Sequence, residues 1–339
     1  MRYCRATSAS SMLDRMPYLA ILLLLLLPAF TIAQLSEQQA DEHARRSYGL
    51  AQVGRLSESE AEMREAMRLS PKNALYHSAL AGLFMQDGNL DGAKTELEEA
   101  LRLNPPAPMQ ARFLERLKQI DLTLAARLAQ SGRYRDGLQV AVNAAERFSN
   151  EPRVFQMLGY FQAKLQLNRD AVRSYSRALQ LDPSSSEASV GLGTAQFSAG
   201  MENESVRTLE AGLVRFPGDA NHYQALGVVF MRLSEEGQDT LARAQSLFKR
   251  ALDIDATLPE AHYELGAAAL AAGDPGSAKS HLLTAERSAP NDSRVHFALA
   301  RLFREEGNAE ASANEMKSFL TVKAAESSRG MSSIGASVQ

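Results

Sequence analysis

Apolar and small residues along this chain fall into a frame of 34 positions. Leu80, Leu158, Leu192, Leu226, Leu265 and Leu299 are each followed by Gly or Ala, and the segments at 158, 192 and 226 stand 34 residues apart. A second landmark lies downstream, a small residue with Pro five positions later: Ala66 and Pro71, Ala100 and Pro105, Ala178 and Pro183, Gly212 and Pro217, Ala285 and Pro290. Aligning on both gives eight repeats, starting near residues 40, 74, 118, 152, 186, 220, 259 and 293. Numbering each repeat from its start, column 7 is Leu in seven of eight, with Arg46 the exception. Columns 8 and 20 are small in every repeat, and column 27 is small in all but the last, where Phe319 stands.

These columns predict two helices per repeat. Small residues at columns 8, 20 and 27 let the two backbones approach, and a large side chain there would overpack. Pro at column 32 ends the second helix, because its ring and missing N–H cannot continue the ladder. Gly54, Gly88, Gly132, Gly200, Gly273 and Gly307 share column 15, where the first helix must stop. Pro152 and Pro259 suit a first helical turn, and Ser36 with Gln39 and Ser184 with Glu187 have capping-box spacing. Ten extra residues open with Pro105-Pro106-Ala107-Pro108 between the second and third repeats, and from Met109 to Gln130 the pattern predicts one extended helix. Five more enter the sixth repeat around residues 234–240, read as a tolerated surface insertion, and a Ser- and Gly-rich tail from 327 is expected to be disordered.

The pattern resembles the tetratricopeptide repeat family, whose unit is a 34-residue helix–turn–helix. The resemblance covers residues 40–326 and implies an all-α, right-handed solenoid of about sixteen helices. The family places Trp at column 4, whereas this chain has no Trp and carries His43, His77, His262 and His296 there. Those histidines lack the i, i+4 spacing of a helical metal site and are read as packing residues, with no metal implied.

Ahead of the repeats, Arg2, Arg5 and Arg15 precede an apolar run from Leu19 to Phe30 that closes on Thr31-Ile32-Ala33. A basic start, an apolar stretch and small residues at −3 and −1 are the parts of a secretory signal, cleaved before Gln34. The alternative is an uncleaved anchor, and the excess of Arg at the N-terminus exports the rest in either case. A start at Met12 or Met16 would give a more usual signal length. The single Cys, Cys4, precedes the apolar run, which excludes a lipidated cysteine after a signal, a disulfide framework and multi-thiolate metal sites. With 37 Lys and Arg against 40 Asp and Glu, charge gives no reason to expect nucleic acid as partner. The 45% apolar content is enough for a buried core.

Catalytic signatures are missing. Gly191-Leu192-Gly193 falls on a packing column rather than after a strand, and Gly273-Asp274-Pro275-Gly276-Ser277 lacks the P-loop Lys-Ser/Thr. No catalytic residue, cofactor or oligomeric state is assigned. In the family, columns 2, 5, 9, 12 and 13 of the first helix line a concave ligand groove. Carried over, they give Arg153, Gln156, Tyr160, Lys164, Asn221, Gln224, Arg232, Tyr263, Arg294, Phe297, Arg301 and Arg304, with Phe197 at the margin. Arg294, Arg301 and Arg304 would form a basic end, suited to a partner peptide with acidic groups and an apolar anchor. The Lys and Asn that clamp a chaperone-tail carboxylate in some relatives are absent. The resemblance implies a non-catalytic scaffold, and the N-terminal segment would place it in the cell envelope or exterior; the alternative is an accessory subunit positioning an envelope enzyme or assembly machine.

Overall fold

The structure, a computed structural model, describes residues 16–233 and 238–335. Among these residues it contains sixteen α-helices and no strand. In chain order they are α1 (Met16–Gln52), α2 (Leu56–Leu69), α3 (Ala74–Gln86), α4 (Leu90–Arg102), α5 (Ala107–Gln130), α6 (Tyr134–Arg147), α7 (Pro152–Lys164) and α8 (Asn168–Leu181). There follow α9 (Ser186–Ser198), α10 (Glu202–Arg215), α11 (Ala220–Arg232), α12 (Gln238–Ile254), α13 (Pro259–Ala271), α14 (Pro275–Ser288), α15 (Ser293–Glu305) and α16 (Ala309–Gly335). Odd helices pair with the even helices that follow, as in α1 on α2, α7 on α8 and α15 on α16. The fold is the helical repeat solenoid that the 34-residue frame predicts.

Contacts divide the chain into two compact parts, residues 1–121 and 122–339. In the first, Leu80, Leu97, Leu117 and Ile120 form a fully buried core. The early turns of α5, supplied by the ten extra residues, join it, Arg116 donating to the Ser78 carbonyl and hydroxyl at 3.2 and 2.8 Å; further along α5, Asp121 of the third repeat takes Lys94 at 2.7 Å. In the second, Leu209, Leu226, Val229, Phe248 and Ala261 build one core cluster and Leu282, Leu299 and Leu302 another. Column 24 supplies a large core residue in six of the eight pairs, Met63, Leu97, Tyr175, Leu209, Phe248 and Leu282.

Opposite each large column-24 side chain stands a column-8 glycine or small residue. A Cβ added to Gly159, Gly193, Gly227 or Gly266 would lie 2.5–2.9 Å from Tyr175, Leu209, Phe248 or Leu282 of the same pair. Column 20 adds a polar stitch, since Ser59, Ser205 and Ser312 donate to the column-8 carbonyls of Ser47, Gly193 and Ala300 at 2.7–2.8 Å. Column 27 differs from the expectation. It faces the next pair, and a Cβ on Gly212 would come 2.0 Å from Cδ2 of His222 on α11. Phe319 is therefore tolerated at column 27 of α16, where it instead packs on Phe297 with ring centroids 5.4 Å apart.

Helix ends follow the local chemistry. Pro152 and Pro259 open α7 and α13, and Asn73, Asn89, Ser185, Asp219, Asp274 and Asp292 accept backbone N–H bonds as N-caps. The cap of α9 is thus Ser185, one residue after the expected Ser184, which bonds Asp182 instead. Ser36 lies inside α1, so no helix begins there. All six column-15 glycines have φ between 72° and 78°, the left-handed region, and Gln166 holds the same column with φ 62°. Left-handed backbone costs a residue with a Cβ about 1–2 kcal/mol. Gln166→Gly should therefore raise stability by about 1 kcal/mol, read as a higher urea midpoint; an unchanged or lower midpoint refutes the strain.

α1 runs unbroken through Ala33 and Gln34, the expected cleavage position, while residues 1–15 lie outside the described residues. No helix among the described residues is long and apolar enough to cross a membrane. Most of the insertion at 234–240 also lies outside them. The tail expected to be disordered from 327 is part of α16 as far as Gly335, and residues 336–339 are not described.

Candidate functional site

The odd-numbered helices carry every residue expected to face a partner. Within the second part α7 packs on α9, α9 on α11 and α13 on α15, so their exposed faces adjoin. A cavity of about 240 Å³ opens where α5, α7 and the start of α9 meet. Leu122, Ala125, Ala126, Ala129, Met157 and Phe161 make its apolar wall, and Arg153, Gln156, Tyr160 and Glu187 its polar rim. Tyr160 is held edge-on between Tyr134 and Phe161, at centroid distances of 6.5 and 5.3 Å. Lys164 lies 5.5 Å over the Tyr160 ring, and burial pushes the phenol pKa up, so the ring stays neutral. Arg153 is exposed and makes no ion pair with the described residues. Small side chains on α5 leave the space that an apolar anchor would fill, beside an unspent guanidinium.

Elsewhere the expected residues are engaged within the protein. Gln156 reaches from the cavity rim to the Ser185 hydroxyl, and Asn221 donates to Asp219 at 3.0 Å. Arg294 bonds Glu260 and Asp292 at 2.6–3.1 Å and covers the Tyr263 ring at 4.7 Å. Two carboxylates hold this guanidinium charged, far above its ordinary range. Arg301 pairs with Glu305 at 3.0 Å, so the basic end is largely neutralised; Arg304 is exposed without an ion pair among the described residues. Phe297 touches Phe319 on one side and remains half-exposed, and Phe197 packs into the α11 core cluster. Gln224 leaves Oε1 buried without a hydrogen bond. Arg232, exposed, faces the buried Glu264 carboxyl, whose pKa is raised by burial and then by Glu260, with Arg232 and Arg294 opposing. Of the expected residues, Arg153, Gln156 and Tyr160 line one cavity, and Lys164 lies over the Tyr160 ring beside it.

The histidines do more than pack. His43, His77 and His296 at column 4 place Nδ1 2.6–2.8 Å from Glu62, Glu96 and Glu315, each nineteen residues on in the partner helix. His77 and His296 also donate Nε2–H to the carbonyls of Pro71 and Pro290 in the preceding repeat. In α13 the partner changes: His262 meets His281, Nδ1 to Nδ1, at 2.9 Å. The sequence signal was His followed nineteen residues later by Glu, which an alignment on small and apolar columns passes over.

A nucleophile–base contact, not expected from sequence, is also present. Ser189 Oγ lies 3.1 Å from Nε2 of His222, and Asp219 lies 3.6 Å from Nδ1. The ring is fully buried and stacked on Phe216, and burial lowers its pKa below 6.5, leaving it neutral. Ser189 sits within α9 with its N–H bonded to Ser185, so that N–H is not free to hold an oxyanion. The geometry is that of a joint between α9 and α11.

Two family profiles, both described as tetratricopeptide repeat, match residues 44–114 with 157–220 and residues 237–302, together more than half of the chain. No curated protein gives a significant match. Among solved structures, a tetratricopeptide repeat protein from Parabacteroides merdae is similar over 79% of this chain and 99% of its own, with 18% identity and TM-score 0.52. A human IFIT1 dimer with m7Gppp-AAAA is similar over 85% of this chain and 72% of its own, with 18% identity and TM-score 0.53. At these identities the likeness is one of fold.

Proposed function

Since the chain belongs to the tetratricopeptide repeat family, whose members generally mediate protein–protein interactions, we propose that it is a non-catalytic scaffold of the cell envelope or exterior. It holds an extended segment or helix of another protein against its odd-numbered helices. The cavity at Tyr160 carries this reading: its apolar wall takes one large side chain, and Arg153 and Lys164 beside it favour an acidic neighbour in the same segment. Export rests on the basic-then-apolar N-terminus and the small residues at Thr31 and Ala33.

A photo-cross-linking residue placed at position 160 should trap one partner protein in cells, and the adduct should vanish when Arg153→Glu is added. The same probe at Val214, 85% exposed on α10, should trap none. Equal trapping at both positions would remove the cavity from the proposal. Recovery of the protein with its first residue at Gln34 supports export; an intact N-terminus in the cytosol overturns it.

A further inference from the structure

We propose that Glu286, His296 and Glu315 form a binding site for a divalent transition-metal ion, Zn²⁺ foremost, clasping α14, α15 and α16. Their ligand atoms, one from each side chain, all lie within 4.8 Å of one another, and among the described residues this is the group of three His, Cys, Asp or Glu so gathered. His296 is 5% exposed. Its Nε2 lies 2.9 Å from the Pro290 carbonyl, which can only accept, so the proton is fixed at Nε2. Nδ1 is thereby turned to the two carboxylates, with Glu315 at 2.8 Å. A backbone carbonyl fixing the far nitrogen is the usual support of a metal-bound imidazole.

Comparison along the chain gives independent grounds. The His–Glu pair recurs at His43 and Glu62 and at His77 and Glu96 without a third ligand. The added member, Glu286, stands in column 28, which is otherwise apolar: Met67, Leu101, Ala145, Leu179, Leu213, Leu252 and Leu320. Glu286 is half-buried, and its carboxylate is the one feature that sets this cluster apart from the other His–Glu pairs. One imidazole with two carboxylates suits a borderline ion such as Zn²⁺, with water completing the coordination. Binding displaces whatever proton Nδ1 shares with Glu315 and releases it to solvent.

The test is calorimetric titration of the EDTA-treated full chain with ZnCl₂, beside thermal melts with and without the metal. One ion per chain and a raised melting temperature are expected. Glu286→Leu restores the residue most common in its column, so it should fold at least as well while losing affinity by about tenfold or more. His281→Leu, which breaks the other imidazole cluster, should leave binding unchanged. Equal Zn²⁺ binding by the native chain and Glu286→Leu overturns the site. So does loss of binding in His281→Leu alone, or no binding by the native chain.

Discussion

Gly212→Leu is expected to destabilise the protein by about 3 kcal/mol, seen as an early loss of helical signal in urea. The reason is geometric. A Cβ at this position would lie 2.0 Å from Cδ2 and 2.3 Å from Nε2 of His222, well inside van der Waals contact. His222 has little room to yield, because Ser189 and Asp219 flank its two nitrogens and Phe216 covers one face. The helices must part instead, uncovering Leu209 and its neighbours. Gly49→Ala is the matched control: nothing lies within 4 Å of its Cβ position inside α1, and Ala is the better helix former. A native midpoint for Gly212→Leu would show that the α10–α11 joint is looser than these distances.

The second large effect lies at Gly227 and Phe248. Phe248 is fully buried at the centre of its cluster, and truncation to Ala removes a ring's worth of contacts, costing about 4 kcal/mol. Gly227→Ala alone places a methyl 2.9 Å from the same ring and should cost about 1–2 kcal/mol. In the double variant that methyl enters space the ring has left. The combined loss should fall short of the sum by about 1 kcal/mol or more. Strict additivity in the urea midpoints would mean that columns 8 and 24 do not share one contact.

The frame of 34 residues was legible because backbone geometry imposes it. Only small side chains fit at Gly193 or Gly227, and the left-handed turn at columns such as Gly88 and Gly273 selects glycine. Such constraints act on residue type at one position, so they survive as columns. The candidate site was less legible because it depends on pairs. Arg294 reads as a free cation until Glu260, thirty-four residues earlier, lies beside it. Tyr160 looked no different from Tyr263, yet one edges a cavity and the other lies under a guanidinium. The cavity itself comes from Ala125, Ala126 and Ala129, residues that draw no notice in sequence because they mark a side chain's absence.

The column-4 histidines also bear on how such a chain can be copied and rearranged. His77 and His296 each take a charged partner from their own repeat, Glu96 or Glu315, and ask of the preceding repeat only a main-chain oxygen. Any residue supplies that oxygen: His262 finds it at Ala256 as His296 does at Pro290. A repeat of this kind can be duplicated or transplanted behind an unrelated neighbour and still close its joint. Glu286 breaks that independence by bringing a side chain from one helix pair to the histidine of the next, which makes the last two pairs a single heritable piece.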